Sequence, residues 1–288
     1  MSAELCRLCA LRPAIENSHV IPAFVFRALK SDSPTGYFRN PNEPNRRLQD
    51  GDKLSLLCGS CEQRFGDAEG KFATSIFSAF HTSDQDYFTY GPWLHYFMTS
   101  LAWRTLILDL PGLESDVTNP RPTVANLRAA ADTMRQYLLG ASNLAGCIRN
   151  HAIVWTKGHS GSAELAAIGP NVMVRRSAFG YSVLDRLHGH CGILHNLAGF
   201  MCFLIVKGNP RDTWNGTKVN PSGGDIKQPQ RVSSWLVGEL LSCIVESAQR
   251  QTATSEAQQQ KVKDAMRKSP SAPALRFRKL DERFVARE

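Results

Sequence analysis

Two Cys-x-x-Cys pairs constrain the fold of this 288-residue chain more than any other feature. The first pair is Cys6 and Cys9, and the second pair is Cys58 and Cys61. Four thiolates at this spacing are typical of a tetrahedral zinc site, which they fill completely, leaving no coordination position open for a substrate. We therefore predict a structural zinc ion that stabilises an N-terminal module with too small a hydrophobic core to fold alone.

The other four cysteines stand singly among apolar neighbours, which predicts buried free thiols rather than a second metal site. The first residues are neither basic nor followed by an apolar run, so no signal peptide is expected. A cytoplasmic protein without disulfides follows from that pattern. The most apolar stretch, 191–206, is short and interrupted by His195 and Asn196, so a membrane partner is not expected. The four cysteines that stand singly are Cys147, Cys191, Cys202 and Cys243.

The charge balance favours an anionic partner. The chain has 34 Lys and Arg against 26 Asp and Glu, a formal charge of +8, and a pI of about 9.2. A basic surface attracts nucleic acid and releases counterions when it binds, although a generic basic surface is the alternative. From Gln249 onward there are ten Lys and Arg against five Asp and Glu, so much of the excess lies in the C-terminal tail.

A polar loop between residues 31 and 53 combines cationic and aromatic side chains. Guanidinium groups beside aromatic rings suit phosphate contact and base stacking, so we predict a nucleic-acid contact here; a solvated loop is the alternative. The loop carries Arg39, Arg46, Arg47 and Gln49, next to Tyr37 and Phe38.

The pattern along the chain predicts an α+β fold in three parts: a zinc module at 1–80, a mixed helical and β domain at 81–248, and a basic, Gln- and Ser-rich tail at 249–288. Apolar residues at helical spacing and short β-prone runs bounded by Gly, Pro and Asn carry this assignment. Helices are predicted at 23–30, from 62 to about 80, from 93 to a stop at Pro111-Gly112, after Pro122, and at 234–248. Strands are predicted at 152–155, 172–174, 180–184 and 199–206, and a flexible Ser-Pro linker is predicted around 269–273.

The opening residues resemble the HNH (His-Me finger) nuclease family in its zinc-containing, treble-clef form. The residues that carry the resemblance, in order, are Cys6-x-x-Cys9, His19-Val20-Ile21-Pro22 and Leu57-Cys58-x-x-Cys61. They cover about a quarter of the chain.

The resemblance implies a metal-dependent endonuclease that hydrolyses nucleic acid, with DNA favoured over RNA, in a bacterial or phage defence setting. His19 would be the general base, and an imidazole with an ordinary pKa of about 6.5 suits that task. A catalytic Mg²⁺ or Mn²⁺ would lie beside it. Ser18 and Glu62 stand where the family has Asp and His or Asn, and the position near the family's Asn is Asp52 or Lys53. We expect Glu62 and Asp52 to supply oxygen ligands, with Asp50 or Glu69 as alternatives.

Two other functions stay open. The zinc module could position the arginine loop on nucleic acid without cleaving it, or the chain could be a structural subunit that docks a protein partner through residues 93–248. The closely spaced His188, His190 and His195 are predicted to form a passage from a loop into a strand, in preference to a metal site.

Overall fold

A computed structural model describes residues 4–15, 18–40, 43, 45–51, 53–142, 144–158, 160–249, 255–268 and 273–286. Helices pack around an antiparallel sheet, so the predicted α+β class is confirmed. In this part of the chain the helices are α1 (Ala23–Ser31), α2 (Gly59–Phe72), α3 (Ser78–Ser83), α4 (Pro92–Ser115), α5 (Arg121–Leu139), α6 (Ala163–Ala167), α7 (Pro170–Arg175), α8 (Trp235–Gln249), α9 (Glu256–Lys268) and α10 (Pro273–Asp281).

The strands are short, except in the central sheet. They are β1 (Ser18–His19), β2 (Phe38–Arg39), β3 (Arg47–Leu48), β4 (Lys53–Leu54), β5 (Phe88–Tyr90), β6 (Arg149–Val154), β7 (Ser160–Gly161), β8 (Ala178–Leu184), β9 (Cys191–Leu197), β10 (Phe200–Lys207), β11 (Thr213–Asn215), β12 (Lys218–Val219), β13 (Gly224–Ile226), β14 (Arg231–Ser233) and β15 (Val285–Ala286).

The central sheet has the order β12-β6-β10-β9-β8, and every neighbouring pair is antiparallel. Strand β9 is buried at all seven positions because α4 and α5 cover one face of the sheet and α8 packs on the other. A strand covered on both faces has no need for polar alternation, which explains why apolar residues occupy both faces of this strand.

The N-terminal part is built from two short strand pairs and a long helix. β1 pairs with β4 and β2 pairs with β3, and α1 lies between β1 and β2 along the chain. Helix α2 continues through a π-helical turn, Ala73–Phe77, into α3, and its Phe72 stacks on Phe97 of α4. Residues on both sides of position 80 share one hydrophobic cluster, and the two predicted domain boundaries remain predictions.

Two predicted elements differ from the structure. Pro111 does not end the preceding helix, because α4 runs through it to Ser115. The run Val172–Val174, predicted as a strand, lies in helix α7. There the Asp281 carboxylate accepts the backbone N–H groups of Asn171 and Val172 at 2.7 and 3.1 Å, and so caps the helix from the far end of the sequence.

The burial predictions for the single cysteines hold in part. Cys191 and Cys202 are buried, whereas Cys243 is half-buried and Cys147 is exposed because it lies in a short surface 3₁₀ turn. The predicted linker falls mostly on residues 269–272, outside the described residues. None of the helices described above is both long and apolar enough to cross a membrane.

The buried His195 gives the fold a predictable pH dependence. Its Nε2 lies 2.7 Å from Thr105 Oγ1, and Gly180 opposite leaves room for the ring, since a Cβ there would lie 2.0 Å from His195 Cδ2. Burial, with a smaller effect of the Arg104 charge, lowers the pKa of His195 to about 3. The imidazole therefore stays neutral in the folded protein at mildly acidic pH.

We expect this histidine to destabilise the protein as the pH falls. The unfolded chain binds a proton at His195 near pH 6.5 and the folded chain does not, so stability is full above that pH and is lost progressively below it. Relative to His195→Gln, the wild type should lose on the order of 2 kcal/mol between about pH 7.5 and about pH 5. Urea unfolding at both values measures this, and equal losses in the two proteins would contradict it.

Candidate metal centre and adjacent histidine

The first Cys-x-x-Cys pair lies in a tight backbone turn. An isolated antiparallel bridge joins Leu5 to Pro13, the Cys6 N–H donates to the Arg12 carbonyl at 2.8 Å, and the Ala10 N–H donates to the Cys6 carbonyl at 2.8 Å. Ala10 adopts a positive φ of 58°, which lets the chain reverse directly after Cys9. This turn places the sulfurs of Cys6 and Cys9 on the same side of the backbone.

The second pair lies at the start of α2. Cys58 is the N-cap residue, and the backbone N–H groups of Cys61 and Glu62 donate to its carbonyl at 3.0 and 2.9 Å. The Arg7 N–H donates to the Leu56 carbonyl at 2.9 Å, so backbone hydrogen bonding connects the two turns directly. The helix start therefore fixes the direction of the Cys61 side chain toward the first pair.

The four sulfurs converge with the dimensions of a zinc site. All four lie within 4.8 Å of one another, and the Cys9 and Cys58 sulfurs are 3.8 Å apart. A tetrahedron with Zn–S bonds of about 2.3 Å has S–S edges of about 3.8 Å, whereas a disulfide requires about 2.05 Å. The donor set of Cys6, Cys9, Cys58 and Cys61 is therefore compatible with a structural zinc ion.

The surroundings of the cluster stabilise negative charge. Burial opposes ionisation of Cys58, but hydrogen bonds from the Ser60 hydroxyl and the Cys61 N–H lower its pKa to about 6. Burial and the neighbouring sulfurs raise the pKa of Cys61. One thiol thus ionises easily and another resists, so a bound cation is what would allow all four to be thiolates.

His19 lies beside this cluster, held by the short pairing of β1 with β4. Its Nε2 is 3.1 Å from the Asp50 Oδ2, and its side chain is 20% exposed. Lys53 Nζ lies 3.1 Å from the same carboxylate oxygen. Burial alone would raise the pKa of Asp50, but hydrogen bonds from Lys53, His19 and the Gly51 N–H lower it, so the carboxylate stays charged beside the imidazole.

Arg104 connects strand β1, which carries His19, to helices α2 and α4. From α4, its guanidinium donates to the His19 carbonyl at 2.7 Å and to Glu69 Oε1 of α2 at 2.6 Å. It also lies over the Phe65 ring at 5.5 Å, and its side chain is only 1% exposed. This buried cation fixes the position of the His19 backbone.

The acidic residues considered for a second metal are dispersed. The Ser18 hydroxyl accepts the Leu57 N–H at 3.1 Å, and Glu69 is paired with Arg104, whereas Glu62 has a buried Oε1 without a hydrogen-bond partner. Asp52 lies outside the described residues. Among those that are described, no group of three or more His, Cys, Asp or Glu donors within 4.8 Å includes His19 or a carboxylate near it.

The predicted nucleic-acid residues lie on and around the β2–β3 hairpin. The guanidinium carbons of Arg47 and Arg39 lie 4.7 and 5.2 Å from the Tyr37 ring centroid. Arg39 also donates to Gln258 of α9 at 2.8 Å, which brings the basic tail helix beside the hairpin. Arg46 is exposed and pairs with Glu43, and Gln49 is exposed.

Two groups of interest were not found from the sequence. Arg104 lies in an otherwise apolar part of α4, and only the structure shows its partners. His188 and His190 lie in the passage from β8 to β9, but Asp185 joins them, whereas His195 does not. The Asp-x-x-His-x-His spacing was the available signal.

No known protein family, curated protein or solved structure shows a significant match to this chain.

The cysteine cluster makes a testable prediction about zinc content. Cys61→Ser should lose one equivalent of zinc, measured by elemental analysis. It should also lower the free energy of unfolding by more than about 3 kcal/mol, because a structural zinc contributes about 10–16 kcal/mol in isolated zinc modules. Cys147→Ser is the matched control, since this exposed thiol is not one of the four clustered sulfurs and should change neither quantity. Full zinc content in Cys61→Ser would exclude the assigned ligand set.

Arg104 makes a second prediction. Arg104→Met keeps the buried stem but leaves Glu69 Oε1 and the His19 carbonyl without their donor. This substitution should lower the free energy of unfolding by about 2–3 kcal/mol, since each lost hydrogen bond involves a charged group. Glu69→Gln, which keeps an acceptor oxygen, should cost less than half as much. Chemical denaturation of both variants tests the order, and a reversed order would show that the charge of Glu69, not the hydrogen bonds of Arg104, gives this ion pair its role.

Proposed function

We propose that this chain is a metal-dependent endonuclease of HNH type, in which His19 is the general base for phosphodiester hydrolysis. The observation that carries the proposal is the contact between His19 Nε2 and the Asp50 carboxylate, 3.1 Å apart beside the cysteine cluster. A general base needs a fixed orientation and access to solvent, and the partly exposed His19 has both.

The Asp50 contact defines which nitrogen acts. A carboxylate with a lowered pKa only accepts hydrogen bonds, so the proton of neutral His19 resides on Nε2. Its Nδ1 then carries the lone pair and takes a proton from an attacking water molecule. Asp50 stabilises the imidazolium that forms, the role of the carboxylate in other carboxylate–histidine pairs.

The backbone around His19 supports a zinc treble clef as the scaffold. A treble clef combines a cysteine turn, a strand pair, and a second cysteine pair at the start of a helix. The turn at Cys6 and Cys9, the β1–β4 pair, and α2 starting after Cys58 follow that order. Cys6, Cys9, Cys58 and Cys61 would give a zinc ion here a full set of four sulfurs, so it would serve structure rather than catalysis.

Glu62 is the residue we assign to a catalytic divalent ion. Its Oε1 is buried without a hydrogen-bond partner in the described structure, and such an oxygen is costly unless a proton or a cation satisfies it. Mg²⁺ or Mn²⁺ at this position would offset charge on the scissile phosphate and the leaving oxygen. Asp52 remains a proposed second ligand on the basis of the resemblance alone.

The cationic side chains around this site support a nucleic-acid substrate. Arg46 and Arg47 are exposed on and beside the β2–β3 hairpin, and Lys53 lies next to His19 across the β1–β4 pair. These groups suit phosphates, and Tyr37 adds a ring between Arg39 and Arg47 on which a base could stack. DNA is proposed ahead of RNA from the resemblance.

A second candidate function is nucleic-acid binding without cleavage. The dispersion of the described carboxylates favours it, because Glu69 and Asp50 are occupied by Arg104 and by Lys53 and His19. In that case the zinc module would position the arginine hairpin, and His19 would be a structural partner of Asp50.

Cleavage assays separate the two functions. End-labelled duplex DNA, single-stranded DNA and RNA are incubated with the full chain and Mg²⁺, Mn²⁺ or EDTA. We expect metal-dependent cleavage that falls by about 100- to 10,000-fold in His19→Ala, the range for loss of a general base, and that free imidazole partly restores. Asp50→Asn should reduce the rate and shift its pH profile.

Arg47→Ala is the contrasting variant for binding. It should weaken affinity across all sequences and reduce the slope of log affinity against log salt by about one, without changing the rate at saturation. Undiminished cleavage in His19→Ala would refute its role as the base. Absence of cleavage in the wild type with every metal, together with salt-sensitive binding, would favour the second candidate.

A further inference from the structure

We propose that Asp185, His188 and His190 form a second metal site, specific for a late first-row divalent cation such as Zn²⁺ or Co²⁺. The three residues lie in the turn between β8 and β9, on the central sheet and apart from the cysteine cluster. This site does not depend on the nuclease proposal, since none of its residues contacts His19 or the arginine hairpin in the described structure.

The turn fixes one side of the Asp185 carboxylate. The backbone N–H groups of Leu187 and His188 donate to Asp185 Oδ1 at 2.8 and 3.1 Å. The Asp185 N–H donates to the His190 carbonyl at 2.8 Å, and the Gly189 N–H donates to the Asp185 carbonyl at 2.9 Å. These bonds occupy Oδ1 and close the turn, so Oδ2 is left for the two imidazoles.

The three donor atoms already lie at near-coordination distances. Asp185 Oδ2 is 2.7 Å from His188 Nδ1 and 3.5 Å from His190 Nδ1, and all three atoms lie within 4.8 Å of one another. In a tetrahedral site with bonds of about 2.0 Å, ligand atoms are about 3.3 Å apart. The second distance fits directly. The first requires His188 to rotate outward, and its side chain is 62% exposed and has room to do so.

The other histidine is pre-positioned. The His190 side chain is only 12% exposed, and its ring lies between the stacked His188 ring at 5.6 Å and Trp235 at 6.1 Å, measured between centroids. Cys191 follows directly but is fully buried in the core on the other side, so it is not a fourth ligand.

The donor set determines the class of cation. Two imidazole nitrogens and one carboxylate oxygen suit Zn²⁺, Co²⁺ and Ni²⁺ better than Mg²⁺ or Ca²⁺, which prefer all-oxygen sites. Three protein ligands leave at least one coordination position for water or an external ligand, as in zinc sites that bind substrates. The cysteine cluster offers no such position, so the two sites differ in chemistry as well as in place.

Metal stoichiometry tests this site. The full chain is first dialysed against a weak chelator that leaves zinc in the cysteine cluster, and is then titrated with Zn²⁺ by calorimetry and with Co²⁺ by visible absorption. We expect one further equivalent of either ion, and a cobalt spectrum without thiolate charge-transfer bands. In His190→Ala and Asp185→Asn the Kd for this ion should rise at least about tenfold, the lower bound even for removing an outer-shell partner.

The variants distinguish a lost ligand from a lost fold. Asp185→Asn retains Oδ1, and hence both backbone hydrogen bonds that form the turn, so its thermal unfolding without added metal should match the wild type. His19→Ala should retain the second ion; if it instead abolishes it, the ion belongs to the proposed nuclease site. Binding of no further ion by the wild type, or its persistence in a His188→Ala, His190→Ala double variant, would overturn the assignment.

Discussion

Closure of the chain at the four cysteines is the constraint on which the N-terminal part depends. Cys9 and Cys58 are 49 positions apart in sequence, yet their sulfurs are 3.8 Å apart. Joining the ends of such a loop costs conformational entropy, and coordination of a zinc ion by the four sulfurs would offset that cost. His19, the arginine hairpin and Asp50 all lie within this closed loop, so the structural cluster also fixes the geometry of the candidate catalytic residues.

The sequence predicted what local patterns determine. The zinc ligands follow from spacing, and α4, α5 and α8 follow from apolar periodicity or long apolar runs. The errors arose where distant residues override a local preference. Val172–Val174 reads as a strand from its β-branched residues, but Asp281 caps it as a helix from 109 or more positions away. Pro111 reads as a stop, yet Leu113 packs on the core and its carbonyl accepts from Asn119, which stabilises the final turn of α4.

The same distinction applies to the candidate sites. His19 was visible from its position between the cysteine pairs, but its partner Asp50 was only one of several candidate acids, because side-chain direction in a loop is not encoded by spacing. Arg104 could not be paired from sequence, since its acceptors lie 35 and 85 positions away. Asp185 was missed although it is near His188 and His190, because their glycine neighbours and the single Cys191 favour a passage from a loop into a strand over a metal site.

The charge of the cysteine cluster bears on the proposal that Glu62 binds a cation. Zinc with four thiolates carries a net charge of about −2, which disfavours a second anion nearby. Glu62 follows Cys61 directly, but it also lies in the first turn of α2, where the helix dipole stabilises a carboxylate. These two effects oppose each other, so the Glu62 oxygen that has no partner among the described residues is weaker support for a bound cation. The His19–Asp50 contact is a defined pair of atoms 3.1 Å apart, and it is for this reason the stronger basis for proposing catalysis in this module.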